Sequence, residues 1–208
     1  MSANSSREIR STVTNEGTLE LSIAVQERPV PGDNEVLLEV GAAPINPSDL
    51  ALLISFAAKL DTLSVSGSGD QTVTSMELHP AMMGALKPRM GESMPVGNEG
   101  GGVVVDAGVN AKHLIGKTVG AAGGAMYSEY RCLPAHSCLV MNEGTTPTQA
   151  ASSFVNPLTA LAFIETMRLE NHSAILNTAA ASNLGQMLVK ICQEDGVPLI
   201  NVVRKPEQ

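Results

Sequence analysis

The chain has 208 residues, and its 13 lysines and arginines against 21 aspartates and glutamates give a formal net charge of −8. An acidic chain without a basic run is a poor partner for nucleic acid or an anionic membrane, and an aromatic content of 2% leaves little for stacking bases. No apolar run approaches the roughly 20 residues of a membrane span, and residues 1–10 lack the apolar stretch of a signal peptide. Three cysteines, an odd number without metal-ligand spacing, are typical of reduced thiols, so we expect a cytoplasmic protein.

The first part of the sequence is rich in predicted strands. Residues 8–25 alternate around the hairpin-like turn Glu16-Gly17, residues 35–40 form an apolar run, and a valine-rich run follows the glycines at 97–102. Further strands are predicted at 117–121, 127–133 and 137–141, with glycines between them. This pattern predicts a small twisted β-barrel.

Two segments interrupt these strands. In Asn46-Pro47-Ser48-Asp49, Asn46 is suited to an N-cap, Pro47 to the first helical position and Asp49 to the first turn, and a helix start accounts for the tetrapeptide without any catalysis. Residues 61–93 form a long connection that begins rich in Ser and Gly and then carries Met82 and Met83. This connection is either a methionine-bearing flap over an apolar substrate or a disordered insertion, and we favour the insertion.

The last stretch predicts a βαβ unit. Residues 173–177 are an apolar run of the buried-strand type, and residues 199–203 are a second one. Between them lies a helix whose apolar face repeats at the helical spacing, and it is followed by Gly196 and Pro198. This is the unit that binds a dinucleotide when its first turn is tight enough.

The turn before that helix carries a degenerate form of the G-x-G-x-x-G fingerprint, with Ala180, Ser182 and Gly185 at the three glycine positions. It is either a nucleotide-binding turn or a plain connection with Ser182 as N-cap. Arg204 and Lys205 stand where NAD-binding folds carry an acid, which favours the 2′-phosphate of NADPH, although a solvated strand end would look the same. If a dinucleotide binds, we expect NADPH.

The composition changes from strands to helices near Thr146. Thr146-Pro147-Thr148-Gln149 has the spacing of a capping box, and Asn156-Pro157 opens the next helix. We therefore predict an α/β protein with two domains. Residues 1–145 form a barrel-like substrate domain, and residues 146–208 form an incomplete Rossmann domain.

Together these pieces resemble the medium-chain dehydrogenase/reductase superfamily, in its zinc-free quinone oxidoreductase branch. The resembling segments follow the family's order: Asn46-Pro47-Ser48-Asp49, residues 95–104, residues 124–130, residues 156–160 and the cofactor turn. The resemblance implies a chaperonin-ten-like barrel followed by a Rossmann domain, with the active site in the cleft between them.

The resemblance also implies that no zinc is bound. Where the zinc-dependent members of the superfamily carry their catalytic ligands, this sequence has Asn46, Asn98 and Asn156, and neutral amides are poor zinc ligands. The four-cysteine lobe that binds a structural zinc is absent, because the chain has only three cysteines. The four histidines are scattered and are expected at the surface or in packing: His79, His113, His136 and His172.

By the same resemblance, the full protein would transfer hydride from NADPH to a quinone or another conjugated carbonyl. The implied catalytic residues are Asn46, beside the nicotinamide or the substrate, and Tyr127, which lines the cleft or else belongs to the barrel core. The implied cofactor-binding residues are Asn46, Thr159, Ala180, Ser182, Asn183, Leu184, Gly185, Arg204 and Lys205.

Two alternatives remain at this level. Residues 201–204 also look like the 2-enoyl thioester reductases, but those enzymes use a tyrosine where this chain offers Phe56. The chain ends just after the second predicted Rossmann strand, so we expect an N-terminal portion of a longer reductase, inactive alone and possible as a homodimer when complete. The alternative is a catalytically silent module of the same fold that binds a ligand or a partner chain.

Overall fold

The computed structural model describes residues 4–55, 57–205 and 207. Phe56, which bears on thioester reduction, lies outside the described residues. The chain forms two compact units, Met1–Ala151 and Ser152–Gln208. The strands, in chain order, are β1 (Ser5–Val13), β2 (Thr18–Glu27), β3 (Glu35–Ala42), β4 (Ser64–Ser66), β5 (Val73–Glu77), β6 (Ser93–Pro95), β7 (Glu99–Ala107), β8 (Thr118–Ala122), β9 (Tyr130–Pro134), β10 (Cys138–Val140), β11 (Ile175–Asn177) and β12 (Leu199–Asn201). The α-helices are α1 (Leu50–Leu53), α2 (Met83–Leu86), α3 (Pro147–Ala150), α4 (Val155–Leu169) and α5 (Asn183–Asp195).

Within the described residues, the first ten strands form two antiparallel sheets in the first unit. Their orders are β4-β5-β2-β1-β6 and β10-β8-β7-β3-β9. The sheets are joined because Ile9 N donates to Tyr127 O at 2.8 Å and Glu129 N donates to Arg7 O at 2.9 Å. Each sheet has its own aliphatic core, one around Leu38 and the other around Leu19. The predicted curled, barrel-like architecture is confirmed.

The prediction of a disordered insertion at residues 61–93 is wrong. The segment contributes β4 and β5, which extend the first sheet, and it continues through α2 to β6. Met76 and Leu78 are buried in the core of that sheet. Propensity for loops in the Ser/Gly-rich part was overridden by pairing with β2 and by burial of these two apolar side chains.

The helix start predicted at Asn46 is also wrong in detail. The helix α1 begins only at Leu50, after an N-cap residue, Asp49, whose side chain makes no cap bond. Residues 47–49 form turns, in which Asp49 N donates to Asn46 O at 2.9 Å. The side chain of Asn46 instead donates a hydrogen bond to Glu99, which is 53 positions further along the chain.

The predicted boundary between residues 145 and 146 precedes α3, whereas the first compact unit includes this helix. The helix begins with the predicted capping box, because Thr146 Oγ1 accepts from Gln149 N and the Gln149 side chain accepts from Thr146 N. It lies so close to the second sheet that a Cβ atom on Gly101 would come within 2.3 Å of the Pro147 carbonyl oxygen.

The second unit has the predicted βαβ order. The strands β11 and β12 are parallel neighbours, with Asn177 opposite Asn201. The helix α5 ends at Gly196, which has the left-handed conformation (φ 67°) expected of a helix stop. Ile164, Leu188 and Cys192 are buried where α4 and α5 pack together. Among the described residues, no helix is long and apolar enough to cross a bilayer.

Candidate functional site

Asp49 ties together two of the segments on which the family resemblance rests. Its Oδ2 accepts from the backbone N–H of Asn46 at 2.8 Å, and its Oδ1 accepts from the backbone N–H of Asn98 at 2.9 Å. Asp49 is 2% exposed, so both bonds are sheltered from water. A second link joins the same segments, since Asn98 Nδ2 donates to Ser48 Oγ at 2.9 Å. The carboxylate predicted to face a helix dipole therefore fixes two chain segments instead.

Asn46, predicted as a catalytic and cofactor-binding residue, is buried beside a second carboxylate. Its Nδ2 donates to Glu99 Oε1 at 2.8 Å, and the two residues are 4% and 1% exposed. Glu99 was missed as a site residue. The signal was available, because Glu99 is a single charge within the run of glycines and valines that predicts a buried strand.

Tyr127, the other predicted catalytic residue, is half-buried against Gly97. The backbone of Gly97 has a φ of 97°, and a Cβ atom there would lie 2.5 Å from the tyrosine ring. The hydroxyl of Tyr127 donates to the carbonyl oxygen of Pro44 at 2.9 Å. Burial, followed by the nearby Asp49 carboxylate, raises the pKa of Tyr127 well above its ordinary value. The hydroxyl is therefore a fixed donor that keeps its proton.

An apolar cavity of about 560 Å³ opens next to this group in the first unit. Ile45, Leu53 and Met126 line it together with Tyr127, and one side is formed by Ile9 on β1. The volume falls in the range of small-molecule pockets, and an apolar wall with few polar groups is their usual composition. Asn46 itself does not line this cavity.

The predicted nucleotide turn in the second unit is capped and tight. Ser182 Oγ accepts from Gly185 N at 3.0 Å, so the predicted N-cap is present. A Cβ atom on Gly185 would lie 2.5 Å from the carbonyl oxygens of both Ala179 and Ala180. Glycine is therefore required at this position, for the same reason as the third glycine of the fingerprint, which allows close packing of the helix against the strand. The N–H groups of Asn183 and Leu184 have no hydrogen-bond partner among the described residues.

Beside this turn lies a second cavity, of about 500 Å³. It reaches from Ala180 and Ala181 in the turn to Asn201 and Val203 at the end of β12. Arg204 and Lys205 follow directly and are exposed. The rest of the lining runs along the side of α5: Gln186, Val189, Lys190 and Gln193. The cavity thus joins the turn to the carboxyl end of β12, the edge at which open α/β sheets bind their ligands.

Thr159 lies on α4, where its hydroxyl donates to the carbonyl oxygen of Val155 at 2.6 Å. Its oxygen can still accept a hydrogen bond. The described residues contain no group of three His, Cys, Asp or Glu side chains that could hold a metal. The four histidines are all exposed, and a surface position is one of the two environments predicted for them.

Comparison with known proteins bears on the same segments. No protein-family model matches the sequence. The mitochondrial enoyl-[acyl-carrier-protein] reductase of Xenopus tropicalis is 30% identical over 186 residues, which are 85% of this chain and 43% of that protein. A candidate NADPH:quinone reductase from Mesorhizobium loti has a similar structure, with a TM-score of 0.67 and 25% identity over all of this chain and 57% of its own.

The chain resembles the quinone and enoyl reductases of the medium-chain dehydrogenase/reductase superfamily. This is the family that the motifs predicted. The quinone oxidoreductase of Thermus thermophilus, solved also in complex with NADPH, shares the fold with a TM-score of 0.62 and 22% identity over 96% of this chain and 54% of its own. The chain therefore spans about half the length of the proteins that it matches.

Proposed function

We propose that this chain carries the substrate domain and the adenosine half of the cofactor site of an NADPH-dependent, zinc-independent reductase. Its acceptor is a conjugated carbonyl, and a quinone is the first candidate. The Mesorhizobium loti protein is a candidate NADPH:quinone reductase, and the Thermus thermophilus enzyme was solved in complex with NADPH. Since this chain spans about half of such proteins, we expect it to bind the cofactor without turning over alone. A cytoplasmic location and a homodimer of the complete protein belong to the same proposal.

The observation that carries this proposal is the turn at Gly185. A turn in which a methyl group at Gly185 would meet two carbonyl oxygens at 2.5 Å brings the helix close to the strand. The N–H groups of Asn183 and Leu184, which have no hydrogen-bond partner among the described residues, are left for an anion. The residues present therefore fit a pyrophosphate, which supports cofactor binding despite the two replaced glycines.

When bound, NADPH would supply the hydride. The residues of this chain would position the reactants: Asn183 and Leu184 would hold the phosphates, Thr159 would contact the cofactor, and Tyr127 would border the acceptor. Tyr127 would act as a wall and not as an acid, because its hydroxyl is bonded to Pro44 and keeps its proton.

An enoyl thioester is the second candidate acceptor. The specific observation in its favour is the 30% identity with a mitochondrial enoyl-[acyl-carrier-protein] reductase. Both acceptors place an electron-poor carbon in conjugation with a carbonyl group, so the same hydride transfer serves each. A long acyl chain would also suit the mainly apolar wall of the cavity beside Tyr127.

Direct binding of NADPH and NADH to the 208-residue chain tests the proposal. We expect NADPH to bind at least about tenfold more tightly than NADH, because a guanidinium forms strong hydrogen bonds with the 2′-phosphate, which NADH lacks. In Arg204→Ala this preference should fall, while Lys112→Ala, which removes an exposed cation from the first unit, should keep it. Equal, weak binding of both nucleotides would contradict the proposal and favour a catalytically silent binding module.

A further inference from the structure

The polar side chains that line the cavity beside Tyr127 are all bonded within the protein. Among the described residues they are Arg7, Glu8, Tyr127, Ser128 and Glu129. The Tyr127 hydroxyl donates to a backbone carbonyl, as described above, and Ser128 Oγ donates to the carbonyl oxygen of Ala125 at 2.9 Å. Glu8 accepts from two neighbouring side chains. The cavity therefore combines an apolar wall with polar groups that already have partners.

The ion pair of Arg7 and Glu129 lies at the rim of this cavity, because the two side chains are 38% and 39% exposed. Exposed ion pairs are usually loose. This pair is also fixed by the backbone, since Glu129 Oε2 accepts from Arg7 N at 3.0 Å and Glu129 N donates to Arg7 O at 2.9 Å. Both Nε and Nη2 of Arg7 donate to Glu129 Oε1. Glu129 is therefore held on the guanidinium.

The charges around this pair leave no excess of positive charge. A second carboxylate, Asp70, accepts from Arg7 Nη1 at 3.3 Å, so one guanidinium faces two carboxylates. Glu8 is paired with Arg10. The hydrogen bond from Arg7 lowers the pKa of Glu129, so this carboxyl group is charged at neutral pH. Two cations and three carboxylates thus leave one negative charge, and an anionic ligand meets no uncompensated cation.

We propose that this cavity binds an uncharged alkyl chain, and that Glu129 determines the specificity by neutralising Arg7 at the rim. An alkyl chain gains free energy by burial against Ile9, Ile45 and Met126. A carboxylate on the same chain would lose water without gaining a free cation. The cavity lies within the first unit and needs no cofactor. Resting on the proposed function, the acceptor carries an uncharged alkyl chain and no free carboxylate.

A pair of probes tests the specificity. Calorimetric titration of the chain without NADPH compares decanol with decanoate, which have the same chain length and differ in charge. We expect decanol to bind at least about tenfold more tightly, because no cation offsets the lost hydration of the carboxylate. Equal binding of the two would overturn the inference. If decanol does not bind, the inference also fails, whereas titration with NADPH decides the proposed function separately.

Variants then test the role of Glu129. In Glu129→Gln the affinity for decanoate should rise about tenfold, because the released guanidinium can form charge-assisted hydrogen bonds with the ligand. In the double variant Arg7→Gln/Glu129→Gln this gain should disappear. Glu143→Gln removes the same charge from an exposed position and should leave decanoate affinity unchanged.

Decanol affinity serves as the check on folding in these variants. It should stay within about twofold of the wild type in Glu129→Gln, because the apolar wall is unchanged. Loss of decanol binding there would make Glu129 a structural residue and overturn the inference. An unchanged decanoate affinity in Glu129→Gln, or an equal gain in Glu143→Gln, would do the same.

The place of binding is tested at an exposed part of the wall. Ile45 lines the cavity and is 72% exposed, so Ile45→Asp adds a charge to the wall at little cost in packing. We expect it to lower decanol affinity at least about tenfold. Val30→Asp is the matched control, because Val30 is 85% exposed and does not line the cavity. Equal decanol affinity in the two variants would show that the chain binds elsewhere.

Discussion

Asp49 and Asn98 are joined by a hydrogen bond from the backbone N–H of Asn98 to the Asp49 carboxylate, across 49 positions of sequence. The other oxygen of the same carboxylate holds the backbone of Asn46. Both bonds to Asp49 use backbone N–H groups, so these two bonds do not depend on which side chains stand at positions 46 and 98. One buried carboxylate thus holds the backbone at both Asn46 and Asn98.

Asp49→Asn should destabilise the chain. An asparagine offers one acceptor to the two N–H groups, so one buried donor is left unpaired, which costs about 1–3 kcal/mol of the free energy of unfolding. Urea unfolding measures this loss. Asp106→Asn is the control, because Asp106 accepts from the backbone N–H of Ala107 but is exposed. Equal losses of unfolding free energy in the two variants would mean that the burial of Asp49 does not contribute to the cost.

The first unit was predicted best where the pattern is local. The hairpin at Glu16-Gly17 and the capping box at Thr146 follow from neighbouring residues, and both are present. The role of Asn46 was not predictable from its neighbours, since Pro47 and Asp49 suit a helix start. The deciding contact is with Glu99, which is 53 positions away. Rules based on residue spacing cannot predict whether the Asn46 side chain caps the local helix or bonds a distant buried carboxylate.

Gly97→Ala should be costly for two separable reasons. Its φ of 97° disfavours any side chain, and a methyl group would also lie 2.5 Å from the ring of Tyr127. Gly124→Ala isolates the first effect, because Gly124 has a φ of 69° and nothing within 4 Å of the added atom. We expect about 1 kcal/mol of lost stability for Gly124→Ala and at least twice that for Gly97→Ala in thermal unfolding. A similar loss in both would show that Tyr127 moves aside freely.

The two tyrosines should ionise late and in a definite order. The chain has two tyrosines and no tryptophan, so absorbance at alkaline pH reports them alone. Burial and then Asp49 raise the pKa of Tyr127, whereas the bond to Glu39 raises that of Tyr130, which is less buried. In Tyr130→Phe the phenolate signal comes from Tyr127 alone, and in Tyr127→Phe it comes from Tyr130 alone. We therefore expect the signal to appear at higher pH in Tyr130→Phe than in Tyr127→Phe.

The same shift predicts a slope in stability. Above the ordinary tyrosine pKa of 10.0, the unfolded chain loses the phenolic proton of residue 127 while the folded chain keeps it. The unfolded state then binds fewer protons, so the free energy of unfolding falls as the pH rises. Tyr127→Phe should flatten this fall, and Tyr130→Phe should flatten it less. A parallel fall in wild type and Tyr127→Phe would contradict the assignment.

In the second unit the order of the elements was predictable from the sequence, but the burial of the strands was not. Its βαβ order, the N-cap at Ser182 and the stop at Gly196 were all predictable, because the apolar period and the small residues are local signals. The strands are shorter than predicted, and Leu176 and Ile200 are 61% and 58% exposed. An apolar run indicates a strand that could be buried, but burial on both faces needs further elements, which the run itself does not encode.

Gly185→Ala should impair nucleotide binding more than it impairs folding of the chain as a whole. The added methyl group would meet the carbonyl oxygens of Ala179 and Ala180, so α5 must move away from the turn and the N–H groups of Asn183 and Leu184 move with it. We expect at least a tenfold loss of NADPH affinity, measured by titration calorimetry. Gly196→Ala provides the matched control.

Gly196 lies at the other end of the same helix, has a φ of 67° and has nothing within 4 Å of an added Cβ atom. Alanine there should cost about 1 kcal/mol of stability through the left-handed backbone and leave NADPH affinity unchanged. If the two substitutions lower NADPH affinity equally, the effect comes from loosening the helix and not from the turn. If Gly185→Ala binds as the wild type does, the phosphates do not dock at this helix.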